Sequence, residues 1–406
     1  MSTTTITAEV AKGEPATNML NIEKFQHLEG SRCNFGATVT GVDANNLSDE
    51  QMQQLRRAVW EHKVVVVKNQ KGFLPESQEK LVKALDPHAP MITHDDWLLC
   101  QHSNTKQIGA WVPLWSIPTA PLVHVIGKGP LGPDHFGLKN QTIRGRTHLN
   151  SHADEPSAAA MNNEGRTRFQ GWHMDAPLYH LEPAWFTTMW AAKLPRGPDM
   201  TVCWDDGTGR SMQVKPGVTA FVSCVQMYDL LSPEERQMAD NSWVEYKPFH
   251  FSWTKDCRIH TDGLGFVNEG REASPEQMQR YGAPDPQRCK TYPMVWVNPL
   301  TKEKALQIQN AAVSKLYLRS SPSEAPCIVD DVKEIRQFLR KLQGRVITPE
   351  YVAAVAPAEE GDLVIFDNRA CLHSRIDFPD HYGTKALHQM YMHSLSPPVG
   401  PAPVFS

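Results

Sequence analysis

The chain has 406 residues, 40% hydrophobic and 21% charged, with a formal charge of -4. These are the proportions of a globular protein with room for one large domain with insertions or two of ordinary size. The slightly acidic balance gives no electrostatic reason to expect a nucleic-acid partner, and no apolar run approaches the roughly 18 residues that a membrane-spanning helix needs. Its 8 cysteines are scattered without a CxxC pair, which reads as reduced, packed thiols in a cytoplasmic protein rather than as a zinc site.

Residues 1–20 read as a disordered leader, rich in Thr and Ala, with no basic start or apolar core of a secretory signal. Phe35 to Val42 alternates as a strand does. Ser48-Asp49-Glu50-Gln51 is a capping box opening a helix with Met52, Leu55 and Val59 on its apolar stripe, and Val64 to Lys68 follows as a buried strand. Residues 85–165, rich in Pro, Gly, His and Asn, predict an insertion of long loops with one strand at Val123–Ile126. From 166 to 225 short strands alternate with turns at Pro195–Pro198 and Asp205–Gly209. Ser232-Pro233 starts a second capped helix, 240–300 reads as an irregular insertion, Val332–Leu342 as a helix, and 361–395 as strands again. Strands at both ends with helices between predict one mainly β domain over 21–400, with flanking helices and insertions at about 85–165 and 240–300.

Two segments carry chemistry. His173-Met174-Asp175 lies between Phe169-Gln170-Gly171-Trp172 and the stretch from Leu178 to Leu194. In an extended segment residues i and i+2 point to one side, so both donors reach one metal. Two imidazoles and one carboxylate hold iron(II) on one face and leave the opposite face open. The third donor must come from another strand, and His373 suits it, following the buried run Leu363–Phe366 and the polar corner Asp367-Asn368-Arg369. The motif alone decides little among 17 histidines: His94/Asp96, His152/Asp154 and His260/Asp262 share its spacing, and His27/Glu29 and His180/Glu182 share the glutamate version. The alternative reading makes Asp367 and Arg369 a structural pair and His373 a packing residue.

In blocks along most of its length the chain resembles iron(II)/2-oxoglutarate-dependent oxygenases of the taurine dioxygenase (TauD/TfdA) family. The blocks are Gly36–Asp43, Leu47–Asp49 with Val59–Val66, Trp172–Asp175, Gly217–Phe221, and Asp367-Asn368-Arg369 with His373. The resemblance implies a double-stranded β-helix (jelly-roll) core, with His173, Asp175 and His373 as iron ligands and dioxygen and 2-oxoglutarate as co-substrates. It gives Thr219 the hydroxyl that meets the far carboxylate of 2-oxoglutarate. Where the family usually has an arginine about a dozen residues after the distal histidine, this chain has Lys385, a point charge in place of a bidentate fork; Arg375 is the rival cation. Four residues further, where taurine dioxygenase has a sulfonate-gripping arginine, stands Gln389. A neutral amide cannot balance a buried sulfonate, so sulfonates are excluded, whereas a polar edge can be read.

The segment Val123-His124-Val125-Ile126-Gly127 and the hairpin Trp204–Gly209 look like the fungal xanthine dioxygenase branch, which also holds oxygenases of secondary metabolism, one of them aziridine-forming. His124 and the bulky Tyr391 tilt the expectation toward an amino acid or biosynthetic intermediate, with xanthine second; Ile376 and Phe378 would form an apolar wall. Rebound hydroxylation and oxidative cyclisation both stay open, as does a homo-oligomer. A non-redox isomerase or a ligand-binding β-helix protein is the contrasting class, disfavoured because an isomerase has no need of a dicarboxylate anchor.

Overall fold

The structure, a computed structural model, describes residues 19–92, 107–108, 112–113, 115–144, 151–176 and 178–402. The leader expected over 1–20 therefore falls, except for Met19 and Leu20, outside the described residues. So does the His94/Asp96 pair.

Two antiparallel-dominated sheets enclose the site. The larger has nine strands, in the order Asn21–Lys24, Ala37–Thr40, Val64–Val67, Leu363–Asp367, Phe186–Lys193, Lys385–Tyr391, Ala120–Pro130 and Thr142–Ile143, with Trp115–Ile117 also paired to Ala120–Pro130. All its neighbours run antiparallel save Ala37–Thr40 beside Val64–Val67. The smaller sheet is Ala353–Ala356, Thr219–Ser223 and Cys371–Arg375. Chain-distant strands are thus neighbours in both, the topology of a double-stranded β-helix.

The pleat sorts side chains between the two faces of the larger sheet. Val64, Val66, Val364, Phe366, Met189, Ala191 and Leu387 point inward and pack with Phe221, Ala353, Ala356 and Cys371 of the smaller sheet. Val65, Val67, Leu363, Ile365, Phe186 and Trp190 point outward onto the helices Asp49–His62 and Pro75–Leu85. The run Val64–Val67 is buried at every position because both faces are covered. The outer face of the smaller sheet, with Ala220, Val222, Leu372 and Ile376, enters the largest core cluster, which the helix Val332–Gln343 closes through Ile335, Leu339 and Leu342.

Local signals set several boundaries. Ser48 forms the expected capping box and Ser232, expected as a serine cap ahead of Pro233, forms a capping box as well, opening helices Asp49–His62 and Pro233–Asp240. The hairpin Met200–Cys203/Ser211–Val214 turns at the Asp205–Gly209 signal. Two expectations need correction. The strand expected at Val123–Ile126 runs from Ala120 to Pro130, because Gly127 and Gly129 keep an extended course with positive φ (137° and 107°) where the neighbouring strand comes close. The stretch 240–300 is more ordered than expected: Trp243–Tyr246 pairs with Thr291–Pro293 on one side and Val313–Leu318 on the other, and Cys327–Val329 beside Val313–Leu318 completes a four-stranded sheet. Strands of three or four residues are too short for a visible alternation, and the partners of Trp243–Tyr246 lie far along the chain.

Candidate active site

His173 and His373 exchange both backbone hydrogen bonds (3.0 and 2.9 Å) as an antiparallel bridge, which ties the segment 169–173 to the smaller sheet. Their rings lie 4.2 Å apart between centroids, inclined at 43°. One ligand atom from each of His173, Asp175 and His373 falls within 4.8 Å of the others, the only such cluster of metal-binding groups among the described residues. Asp175 Oδ1 is 3.8 Å from His373 Nε2. His173 Nδ1 lies 2.9 Å from the Gly171 carbonyl. Donation to that carbonyl would fix the tautomer whose Nε2 is free to ligate. Phe221 and Phe366 flank the His373 ring at 6.1 and 4.9 Å.

The electrostatics fit a cation. Burial raises the Asp175 carboxyl above its ordinary range, with the nearby His173 opposing. Burial also pushes His373 well below its ordinary value, and the His173 charge adds to this. Among the described residues no lysine or arginine pairs with Asp175; its side chain meets neutral donors, Thr187 Oγ1 and Gln389 Nε2. A largely enclosed carboxylate facing two imidazole nitrogens and lacking a counter-charge is what a divalent metal would complete.

Asn368, in the polar corner, holds the backbone of Asp175: its Oδ1 accepts from Asp175 N (2.8 Å) and its Nδ2 donates to Asp175 O (2.9 Å). Gln307 Nε2 in turn holds the carbonyls of Asn368 (2.9 Å) and Cys371 (3.1 Å). Arg369 does not pair its guanidinium with Asp367. It donates to the Pro183 and Ser396 carbonyls and lies 3.9 Å over Trp185, while its backbone N–H bonds Asp367 Oδ1. Thr187, Asn368 and Gln307 are the supporting residues that sequence reasoning did not single out for these roles. Only Asn368 had a signal, its place beside the distal histidine.

On the smaller sheet Thr219 sits opposite Arg375 and Phe221 opposite His373, so these four share the inward face. On the larger sheet Lys385, Leu387, Gln389 and Tyr391 alternate on the inward face, with Gln389 opposite His124 and Tyr391 opposite Thr187. Lys385 is buried and lowered to about 7, first by burial and then by the charge of Arg375, with Asp377 opposing. Asp377 is itself engaged by Lys128 at 2.9 Å. Burial raises Tyr391 well above its ordinary value, and Asp175 adds to this. His124 meets Ser116 at 3.3 Å. Ile376 and Phe378 are each 2% exposed and belong to the largest core cluster. Ile376 bridges Phe169 and, three residues past His373, takes the opposite face of the pleat.

The remaining decoys are engaged elsewhere. Asp262 takes a bidentate Arg340 (3.0 and 2.7 Å), His152 Nδ1 meets the His260 carbonyl (2.9 Å), and His27 Nε2 meets the Phe35 carbonyl (2.9 Å). Glu182 accepts from Lys290 (2.5 Å) and Tyr292 (2.6 Å).

A jelly roll holding two histidines and an aspartate on its inner wall defines a class, the non-haem iron oxygenases. The family model "Taurine catabolism dioxygenase TauD, TfdA family" matches residues 24–391, and the chain belongs to this family of iron(II)- and 2-oxoglutarate-dependent oxidoreductases. It is 42% identical over 388 residues to alpha-ketoglutarate-dependent dioxygenase bsc9 of Alternaria brassicicola, covering 95% of this chain and 96% of that one. It is 38% identical to alpha-ketoglutarate-dependent dioxygenase fc-dox of Phomopsis amygdali (91% and 92% covered) and 38% identical to alpha-ketoglutarate-dependent xanthine dioxygenase xan-1 of Neurospora crassa (87% and 82%). The crystal structure of AAD-2 in complex with Mn(II) and N-oxalylglycine shares the fold, with a TM-score of 0.53 at 15% identity over 94% of this chain and 100% of that one.

Proposed function

We propose that His173, Asp175 and His373 bind the iron, that Lys385 and Thr219 hold the far carboxylate of 2-oxoglutarate with Arg375 beside them, and that Gln389 faces the substrate. The convergence of the three donor atoms within 4.8 Å, around a largely enclosed carboxylate with no cationic partner among the described residues, carries this reading. The iron, when bound, supplies activation of dioxygen coupled to decarboxylation of 2-oxoglutarate to succinate.

The chain's own residues do the rest. Gly171 orients His173 and Asn368 fixes the backbone of Asp175. Arg375 and Thr219 lie one strand repeat, roughly 7 Å, from His373 and Phe221 on the same inward face. That spacing suits a short dicarboxylate reaching from metal to cation. Leu387, with Phe221 and Phe366 of the same inner cluster, lines the space between and keeps water out.

The substrate is proposed as a small polar molecule oxidised at a C–H bond: an amino acid or an intermediate of fungal secondary metabolism. The mixed inward face of Gln389, Tyr391 and His124 supports it. Ile376 and Phe378 enter this proposal only as packing behind the anchor. Xanthine, giving uric acid, is the second reading, favoured by the 38% identity to relatives named for it. The described cysteines are all free thiols, which supports a cytoplasmic setting.

A succinate-release screen over xanthine, related purines and branched amino acids distinguishes the substrate readings. Under the best substrate, His173→Ala and Asp175→Ala should abolish release while His260→Ala leaves it largely intact. Full activity of His173→Ala would remove the ligand assignment.

A further inference from the structure

The two oxygens of Asp175 live in different surroundings. Oδ1 faces His373 Nε2 at 3.8 Å. Oδ2 accepts two hydrogen bonds, from Thr187 Oγ1 at 3.1 Å and from Gln389 Nε2 at 3.2 Å. Thr187 is fully buried in the Phe186–Lys193 strand, at the middle of the larger sheet, with Phe366 and Tyr391 as its register neighbours.

We propose that Thr187 is a positioning residue that, with Gln389, occupies Oδ2 so that Asp175 meets the metal through Oδ1 alone. The inference rests on the ligand assignment proposed above. A carboxylate can give a metal one oxygen or two. With two imidazoles, a one-oxygen aspartate leaves three of six positions open, enough for a chelating keto acid and dioxygen together. A two-oxygen aspartate leaves only two. Hydrogen bonds from neutral donors to a buried carboxylate are of the stronger, charge-assisted kind, so turning Oδ2 onto the metal would break two of them.

The two donors differ in stiffness. Threonine is branched at Cβ and restricted about χ1, and Thr187 is enclosed on both sides by strands. Gln389 is long and only half-buried. Thr187 is therefore the fixed stop and Gln389 the movable one. A substrate that draws on the Gln389 amide would still leave Asp175 held. The backbone of Asp175 is secured separately by Asn368, so Thr187 governs only the turn of the carboxylate about its side-chain bonds.

The test uses the full chain and Mn(II) as a spin probe, with free Mn(II) followed by electron paramagnetic resonance, so no turnover is needed. Thr187→Val keeps the shape and removes the hydroxyl; Thr187→Ser keeps the hydroxyl. The expected result is Mn(II) binding weakened about tenfold or more in Thr187→Val and within about threefold of wild type in Thr187→Ser, with metal-free melting temperatures alike. Wild-type affinity in Thr187→Val, or equal losses in both variants, overturns the proposal. Should Thr187→Val fail to fold, Thr187→Ala takes its place against Thr187→Ser with the same criterion. His173→Ala is the control on the ligand assignment: if it binds Mn(II) as wild type does, the assignment itself falls, whereas an intact loss there beside an unaffected Thr187→Val sinks Thr187 alone. A structure loaded with Mn(II) should show one Asp175 oxygen at bonding distance, and two equidistant oxygens would also overturn it.

Discussion

The ammonium of Lys385 sits on the inward face of the large sheet, where burial and the charge of Arg375 bring it to about 7. Below that pH it is a cation ready for a carboxylate, and above it the amine is neutral. If Lys385 anchors 2-oxoglutarate, the KM for 2-oxoglutarate should climb as pH rises through 7 and beyond, since a bound anion itself favours the charged form. Lys385→Ala should raise that KM at least tenfold with a smaller effect on kcat. Lys385→Arg, protonated throughout, should remove the upward trend. A flat KM from pH 6 to 8.5 in the wild type would shift the anchor to Arg375. Asn368 answers to a different measure: Asn368→Ala leaves the backbone N–H and C=O of Asp175 without their partners, and unfolding in urea should show a loss of about 1–3 kcal/mol per group left unpaired.

One element, the strand Lys385–Tyr391, serves the site with one face and the core with the other. Its outward residue His388 is fully buried and meets His135, with 2.8 Å between the two Nε2 atoms. Trp190 and Phe136 enclose it, at 4.9 and 5.1 Å, and Gln78 bonds its carbonyl at 2.9 Å. Burial lowers His388 to about 3, and the neighbouring His135 depresses it further; burial lowers His135 to about 4, with the charge of Lys193 adding to this and Asp134 opposing. The fold keeps both rings neutral, while the denatured chain takes up protons near 6.5. Stability from this pair is therefore complete above about 6.5 and drains away as pH falls toward 4 and 3. Replacing His388 with Phe should flatten the decline of melting temperature between pH 6.5 and 4. An unchanged slope would show that other groups control acid unfolding. The helices Asp49–His62 and Pro233–Asp240 were legible at this scale because a capping serine and a glutamine or glutamate three residues on mark a start in the sequence itself, whereas Pro75–Leu85, preceded by Leu74 with no side-chain cap, carried no such mark. The four-stranded sheet around Trp243–Tyr246 was not, because its strands find partners only after the chain has folded.

Across the whole molecule the site depends on two sheets meeting through one apolar layer. Phe366 of the larger sheet and Phe221 of the smaller lie 5.2 Å apart and both line His373. Phe366→Ala should cost about 3–5 kcal/mol in urea unfolding and, by loosening the layer behind His373, weaken Mn(II) binding too. A loss below about 1 kcal/mol would mean that the sheets do not depend on this contact. The sequence by itself determined the donor types, the capped helices and the hairpin turns, since each is written in residues a few positions apart; the resemblance of its ordered blocks added the family. Only the tertiary structure decided which His-x-Asp pair meets a distant histidine, that Thr187 and Asn368 hold Asp175, and that Ile376 turns into the core. Those outcomes depend on strand register between segments nearly two hundred residues apart, and register is set by which faces the assembled sheets bury.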